Sequence, residues 1–190
     1  RMEALYGTEA MGVTAENIAA QTGITRQEQD EFAYYSHSRA VAAQDQGKFA
    51  EEILPVPIPQ RKGEPILVSQ DERPRRDTNL EALSKLKPAF KPDGSVTAGN
   101  SSGLNDGAAA LVLMSAEKAS ALGIKPLARV VSGAASGIEP RVMGLGPIEA
   151  TRRALNKAGL TIEDIGLAEI NEAFAVQALA VMRELGLAHE

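Results

Sequence analysis

No cysteine occurs anywhere in the 190 residues, so this chain by itself can hold neither a disulfide scaffold, nor a thiolate metal site, nor a thiol nucleophile. Histidine is nearly as scarce. His37 sits inside a helical stretch beside Tyr34 and Tyr35, and His189 lies at the C-terminal end. Neither has an acid or metal partner in the pattern, so both are expected to be structural or solvated, and no metal site is expected. A basic surface is missing too: the formal net charge is −5, which argues against nucleic acid as a partner, because that binding needs a positive face. No apolar run approaches a membrane span, and no apolar N-terminal segment leads to a small-residue cleavage site. Neither membrane nor secretion is therefore indicated, and the expected location is cytoplasmic.

What remains has the balance of a globular protein able to bury a core, with 44% hydrophobic and 24% charged residues. Its most informative stretch runs from Thr97 to Gly107, where eleven residues include three Gly, two Asn and two Ser. Such residues let a backbone turn tightly and approach a ligand closely. The run Ala108 to Met114 that follows is short and wholly apolar, as expected of a strand buried on both faces in a layered α/β sheet. Taken alone, a glycine-rich loop feeding a strand is more often a plain connection than a site.

Upstream, residues 1–12 read as the tail of something that precedes them. Thr14 is expected to cap a short helix, Ala15 to Ala20, ended by Gly23. Thr25 and Glu28 have capping-box spacing and open a longer helix to about Gln46, with Phe32, Ser36, Arg39 or Ala40, and Ala43 along one face. Pro55, Pro57 and Pro59 remove three donors and allow only an edge strand or an extended loop. Between Arg61 and Lys91 lies a concentration of Arg and Lys, which reads either as a solvated face or as a seat for phosphates. The segment ends at the turn Lys91-Pro92-Asp93-Gly94.

Downstream, the pattern predicts a helix from Ser115 to Gly123, a strand at Leu127–Val131 and a helix from Gly146-Pro147 to Gly159. A turn at Thr161–Asp164, a strand at Leu167–Ile170 and a helix from Glu172 to Gly186 complete the series. Strand alternating with helix implies a parallel α/β sheet. Gly144-Leu145-Gly146-Pro147 is a weak phosphate-cradle pattern, as readily a plain turn. Asn171 stands out, because an amide at the carboxyl end of a strand is well aimed to hold a carbonyl oxygen or a water.

The string TAGNSSGLNDGAAALVLM, residues 97–114, resembles the signature of the thiolases, the acyl-CoA acetyltransferases that make and cleave 3-oxoacyl-CoA. Asn171-Glu172-Ala173-Phe174-Ala175 resembles the NEAFA motif of the same family, and the order and spacing between the two strings also fit. The resemblance implies the layered αβαβα thiolase fold. It divides the chain into a coenzyme A-binding loop domain at 1–104, the end of the N-terminal half at 105–125 and the beginning of the C-terminal half at 126–190. It further implies an acyltransferase acting on coenzyme A thioesters, which are substrates, with no separate cofactor, and a homo-oligomeric parent, dimer or tetramer.

Site roles follow from the same resemblance. Asn171 matches the residue that positions a water over the thioester carbonyl, and Ala173 and Phe174 match residues lining the pantetheine channel. Ser102 matches the serine that meets the pantetheine amides, with Ala98 beside it. Phe90 and Arg75 match residues holding the adenine end of coenzyme A. Met11 matches the Met near the reacting acyl group; before it, where the family usually has His or Asn, stands Ala10. Thiolases also use two Cys and a His in a Gly-His-Pro motif, and none of the three occurs here. The expectation is therefore an internal piece of a thiolase, inactive alone, with a non-catalytic coenzyme A or acyl-chain binding module as the alternative.

Overall fold

The structure, a computed structural model, describes residue 5 and residues 7–188. His189 lies outside the described residues. Helix α1, Met11–Thr22, starts earlier than the sequence predicts: Ala10 is the residue before the first turn, and its carbonyl accepts from the amides of Val13 and Thr14. Thr14 is inside the helix rather than capping it, and its hydroxyl donates back to the Met11 carbonyl at 2.7 Å. The stop at Gly23, in the left-handed region, is as expected.

Helix α2, Arg26–Asp45, opens on the expected capping box. The Thr25 amide donates to Glu28 Oε2 at 2.6 Å, and the Glu28 amide donates to Thr25 Oγ1. The Thr25 amide, then the Arg183 guanidinium at 2.6 Å, pull the Glu28 carboxyl down to about 2. The chain then makes a two-stranded antiparallel hairpin of β1, Val56–Ile58, and β2, Ile66–Val68. The proline-rich β1 was expected as an edge element. Its partner β2 was not, because Ile66–Val68 is only three residues long within a polar tract.

A short α3, Leu80–Ser84, leads to the turn at 91–94, closed by the Gly94 amide on the Lys91 carbonyl. After it come α4, Ala116–Ala121, capped by Ser115, and α5, Gly146–Ala158, with Pro147 in its first turn and Gly159 as its stop. Thr161–Asp164 forms a capping box, here around a 3-10 turn. Helix α6, Ala175–Leu185, starts three residues later than predicted, because residues 173–175 pair laterally with residues 100–102 before the helix can close.

Three expected strands, the first of them expected to be buried on both faces, are corrected. Residues 108–114, 127–131 and 167–170 form no ladder among the described residues, and Leu111 is 80%, Val130 74% and Leu167 89% exposed. An apolar run becomes a strand only when neighbours take its amides and carbonyls, and no other segment pairs with these backbones in a ladder among the described residues; Ile170 alone of the last segment packs against the Ile148, Val181 and Leu185 cluster.

The core lies instead among helices. Helix α6 packs against α1, α2 and α5; Ala175, Val176, Ala178, Ala180, Val181 and Leu185 are all buried. A helix apolar around most of its circumference belongs at the centre. On one side it meets Ala15, Ile18, Ile24 and Val96, on another Phe32, and on a third Ile148. Among the described residues no helix is long and apolar enough to cross a membrane.

Candidate active site

The segments that carry the two sequence motifs are bonded to each other. The Ser102 amide donates to the Ala173 carbonyl at 3.0 Å, and the Ala175 amide donates to the Asn100 carbonyl at 2.9 Å. Two loops distant in sequence are thereby fixed as one surface, at the N-terminal end of the central helix α6.

Buried charge holds the first of these loops in place. Asn100 is buried: its Oδ1 accepts from the Thr97 amide at 2.7 Å, and its Nδ2 donates to Asp30 Oδ1 at 3.0 Å and to the Ser95 carbonyl. Asp30 is in turn paired to Arg26 at 2.7 Å, and the Arg26 guanidinium donates to the carbonyls of Leu83 and Leu86. Glu16, buried on α1, accepts from the amides of Ser95 and Val96, both at 2.9 Å, and from the Ser95 hydroxyl. Buried carboxylates are tolerable only when hydrogen-bonded in this way. None of these anchors was singled out in the sequence, since an Asp or Glu on a helix is normally a solvated residue; only the fold shows that α1 and α2 turn these side chains inward.

A cleft of 1010 Å³ runs along the joined loops. Ala98 and Ser102 line it from one motif, Asn171 and Ala173 from the other, and Arg75 from the strap 70–77. A smaller, mostly apolar pocket of 200 Å³ adjoins it, lined by Met11, Ile18, Met143 and Phe174, and again by Asn171 and Ala173. Asn171 thus stands where the two spaces meet. Phe90 lies apart from the large cleft. Its ring meets that of Phe174 edge-on, with centroids 6.2 Å apart, and a Cβ at Gly12 would overlap it. The structure therefore groups Arg75, Ala98, Ser102, Asn171 and Ala173 along one cleft and Met11 and Phe174 around the smaller space, while Phe90 lines neither and meets the second group through the Phe174 ring. Gly144, in the weak phosphate-cradle pattern, is filled by its neighbours: a Cβ there would lie 2.7 Å from Gln177 Cγ and 2.9 Å from Ile18 Cδ1.

Consecutive residues of α2 tie the cleft's two sides together. The Ser36 hydroxyl donates to Glu172 Oε2 at 2.6 Å, and the Arg75 amide donates to His37 Nδ1 at 3.1 Å. His37, set aside in the sequence for want of a partner, lines the cleft. Burial, then the Arg75 charge, lowers its pKa, while Glu172 and Asp77 oppose the shift. The basic strap is partly neutralised: Arg75 pairs with Asp77 at 3.3 Å and Arg76 with Asp45 at 2.8 Å.

The comparisons with known proteins agree with the two motifs. The N-terminal domain model of the thiolases matches residues 2–117, and their C-terminal domain model matches residues 124–190. The chain belongs to the thiolase family. An acetyl-CoA acetyltransferase of Pseudomonas aeruginosa is 60% identical over 176 residues, which are 93% of this chain and 45% of that protein. A beta-ketoadipyl-CoA thiolase of Acinetobacter baylyi is 52% identical over all 190 residues, or 47% of its own length. The chain thus spans about half the length of the curated relatives it matches. The crystal structure of the Bacillus anthracis acetyl-CoA acetyltransferase superposes with a TM-score of 0.90 at 53% identity, covering 95% of this chain and 45% of that one. The path of this thiolase chain is therefore the thiolase fold, α/β as expected.

Proposed function

We propose that this thiolase chain forms the coenzyme A-facing wall of an acyltransferase that exchanges acyl groups between coenzyme A thioesters through an acyl-Cys intermediate. The observation that carries the reading is the position of Asn171 at the seam of a long polar cleft and a short apolar pocket. That is where a thioester carbonyl would sit, with its pantetheine arm in the first space and its acyl group in the second. Arg75 would hold the nucleotide end, with Phe90 assigned to the same end by resemblance. Ser102 and Ala98 would flank the pantetheine arm, with Ala173 and Phe174 along its channel and Met11 beside the acyl group. Asn171 would hold a water that donates to the carbonyl oxygen as negative charge grows there. The thiol that such exchange requires is not among the 190 residues.

On this reading residues 1–104 are the coenzyme A-binding loop domain, 105–125 close the N-terminal thiolase half and 126–190 open the C-terminal half. A homo-oligomeric assembly and a role in fatty acid metabolism belong to the same proposal and rest on the resemblance, and a cytoplasmic setting is proposed with them. The alternative reading is a thiolase-like module that binds coenzyme A or an acyl chain without chemistry.

Kinetics on the complete polypeptide that contains this chain would test the proposal. Asn171→Ala should lower turnover by about a hundredfold, or about 3 kcal/mol, with little change in KM for coenzyme A, because a preorganised donor acts on the developing charge. Asn171→Asp should be worse, since it presents negative charge to the forming oxyanion. Near-normal turnover in both variants would overturn the role of Asn171. Coenzyme A binding by the complete polypeptide without acyl exchange would establish the second reading instead.

A further inference from the structure

The strap 70–77 touches α2 at separate points. Gln44 Nε2 donates to the Asp71 carbonyl at 3.0 Å, and Arg76 pairs with Asp45, both near the C-terminal end of α2. About two turns earlier, His37 Nδ1 accepts the backbone N–H of Arg75 at 3.1 Å. That last bond differs in kind from the others. An imidazole nitrogen accepts a hydrogen bond only while it is unprotonated, so this contact requires neutral His37 with its proton on Nε2.

We propose that His37 is a positioning residue: as neutral imidazole it fixes the backbone at Arg75 against α2, and so aims the Arg75 guanidinium along the cleft toward a phosphate-bearing ligand. Protonation of His37 breaks the clamp, freeing the strap and weakening the hold on that ligand. The inference rests on reading the cleft as a coenzyme A site and adds to it a residue that the resemblance does not assign.

Charged groups reach His37 from both sides. Arg75 and Asp77 approach on the strap and Glu172 on the segment before α6. Burial and Arg75 favour the neutral form; Glu172 and Asp77 favour the charged one. The folded pKa lies below the ordinary value of about 6.5. The clamp's contribution is therefore complete above that pH and is lost as pH falls toward and through the lower folded value. A simple Coulomb effect has the opposite sign, because an imidazolium in the cleft would attract phosphates more strongly at low pH.

The test uses the complete polypeptide that contains this chain, carrying His37→Gln, whose side-chain carbonyl can still accept but cannot titrate, or His37→Leu, which cannot accept. Hydrogen exchange at the Arg75 amide, read by NMR from pH 8 to pH 5 and corrected for intrinsic rates, reports the clamp without any ligand. Protection should fall with acid in the wild type, stay level in His37→Gln and be absent in His37→Leu at every pH. Calorimetric titration with coenzyme A should give equal affinities for wild type and His37→Gln at pH 8, with wild type falling about fivefold behind by pH 5. His37→Leu should be about fivefold weaker throughout. Taking the ratio to His37→Gln removes the titration of the ligand's own phosphates.

Equal Arg75 protection in wild type and His37→Leu would overturn the proposal. So would a ratio that is flat or rises toward low pH. The expected exchange pattern without coenzyme A binding to any of the three proteins at pH 8 would support the clamp and overturn the coenzyme A reading.

Discussion

Two parts of this chain are equally apolar in sequence and opposite in fate. Around α6, residues such as Ile18, Val176 and Val181 are at most 1% exposed. In the extended stretches, Leu111, Val130 and Leu167 stand 74% exposed or more. The difference lies in the backbone. A helix satisfies its own amides and carbonyls and needs only a side-chain partner for its apolar face. A strand needs neighbours for both, so hydrophobicity alone cannot bury it. The joined loops of the candidate site follow the same rule: their lateral pairing, residues 100–102 with 173–175, is what gives the two motifs a shared, fixed geometry.

The comparison can be broken or sharpened by substitution, the largest effects falling within the helical core. Ile18→Ala should cost about 3 kcal/mol or more in denaturant unfolding, since it opens a cavity where α1 meets α6. If it cost under about 1 kcal/mol, the core would be placed wrongly. Glu16→Ala should cost about 3 kcal/mol, because the buried amide of Val96 and the half-buried amide of Ser95 lose their acceptor. It should also loosen the Thr97–Ser102 loop, measurable as faster hydrogen exchange there.

Smaller changes are expected at the surface. Thr25→Ala removes one side of the capping box and should cost about 1 kcal/mol. The Glu28 carboxyl, held down at about 2 by the Thr25 amide and then Arg183, contributes stability that is complete above its ordinary value of 4.5 and is lost as pH falls through 2. Because the side chain is 37% exposed, solvent screening reduces that contribution to about 1 kcal/mol. Glu28→Gln should flatten the acid limb of the stability curve by that amount, and an unchanged limb would contradict the assignment. Smallest of all, Leu111→Ala should change the stability of this chain by under about 0.5 kcal/mol. A loss comparable to that of Ile18→Ala would mean that residues 108–114 are buried in solution.

The chain's own order of residues determined whatever is settled within a few positions. Thr25 with Glu28, Ser115, Gly23, Gly159 and Gly186 start and stop their helices as expected, because a cap needs only a neighbour two to five residues away. The two motifs likewise carried the family. Tertiary structure decided the rest. Whether an apolar run becomes a strand depends on what lies beside it, so 108–114 could not be read from composition. It took folding to bring Asn171 to the seam of cleft and pocket, to set Phe90 against Phe174 and off the cleft that Arg75 lines, and to give His37 a partner 38 residues away. Hydrogen bonds of that span leave no periodic trace in sequence; they exist only once α2 has been laid along the cleft.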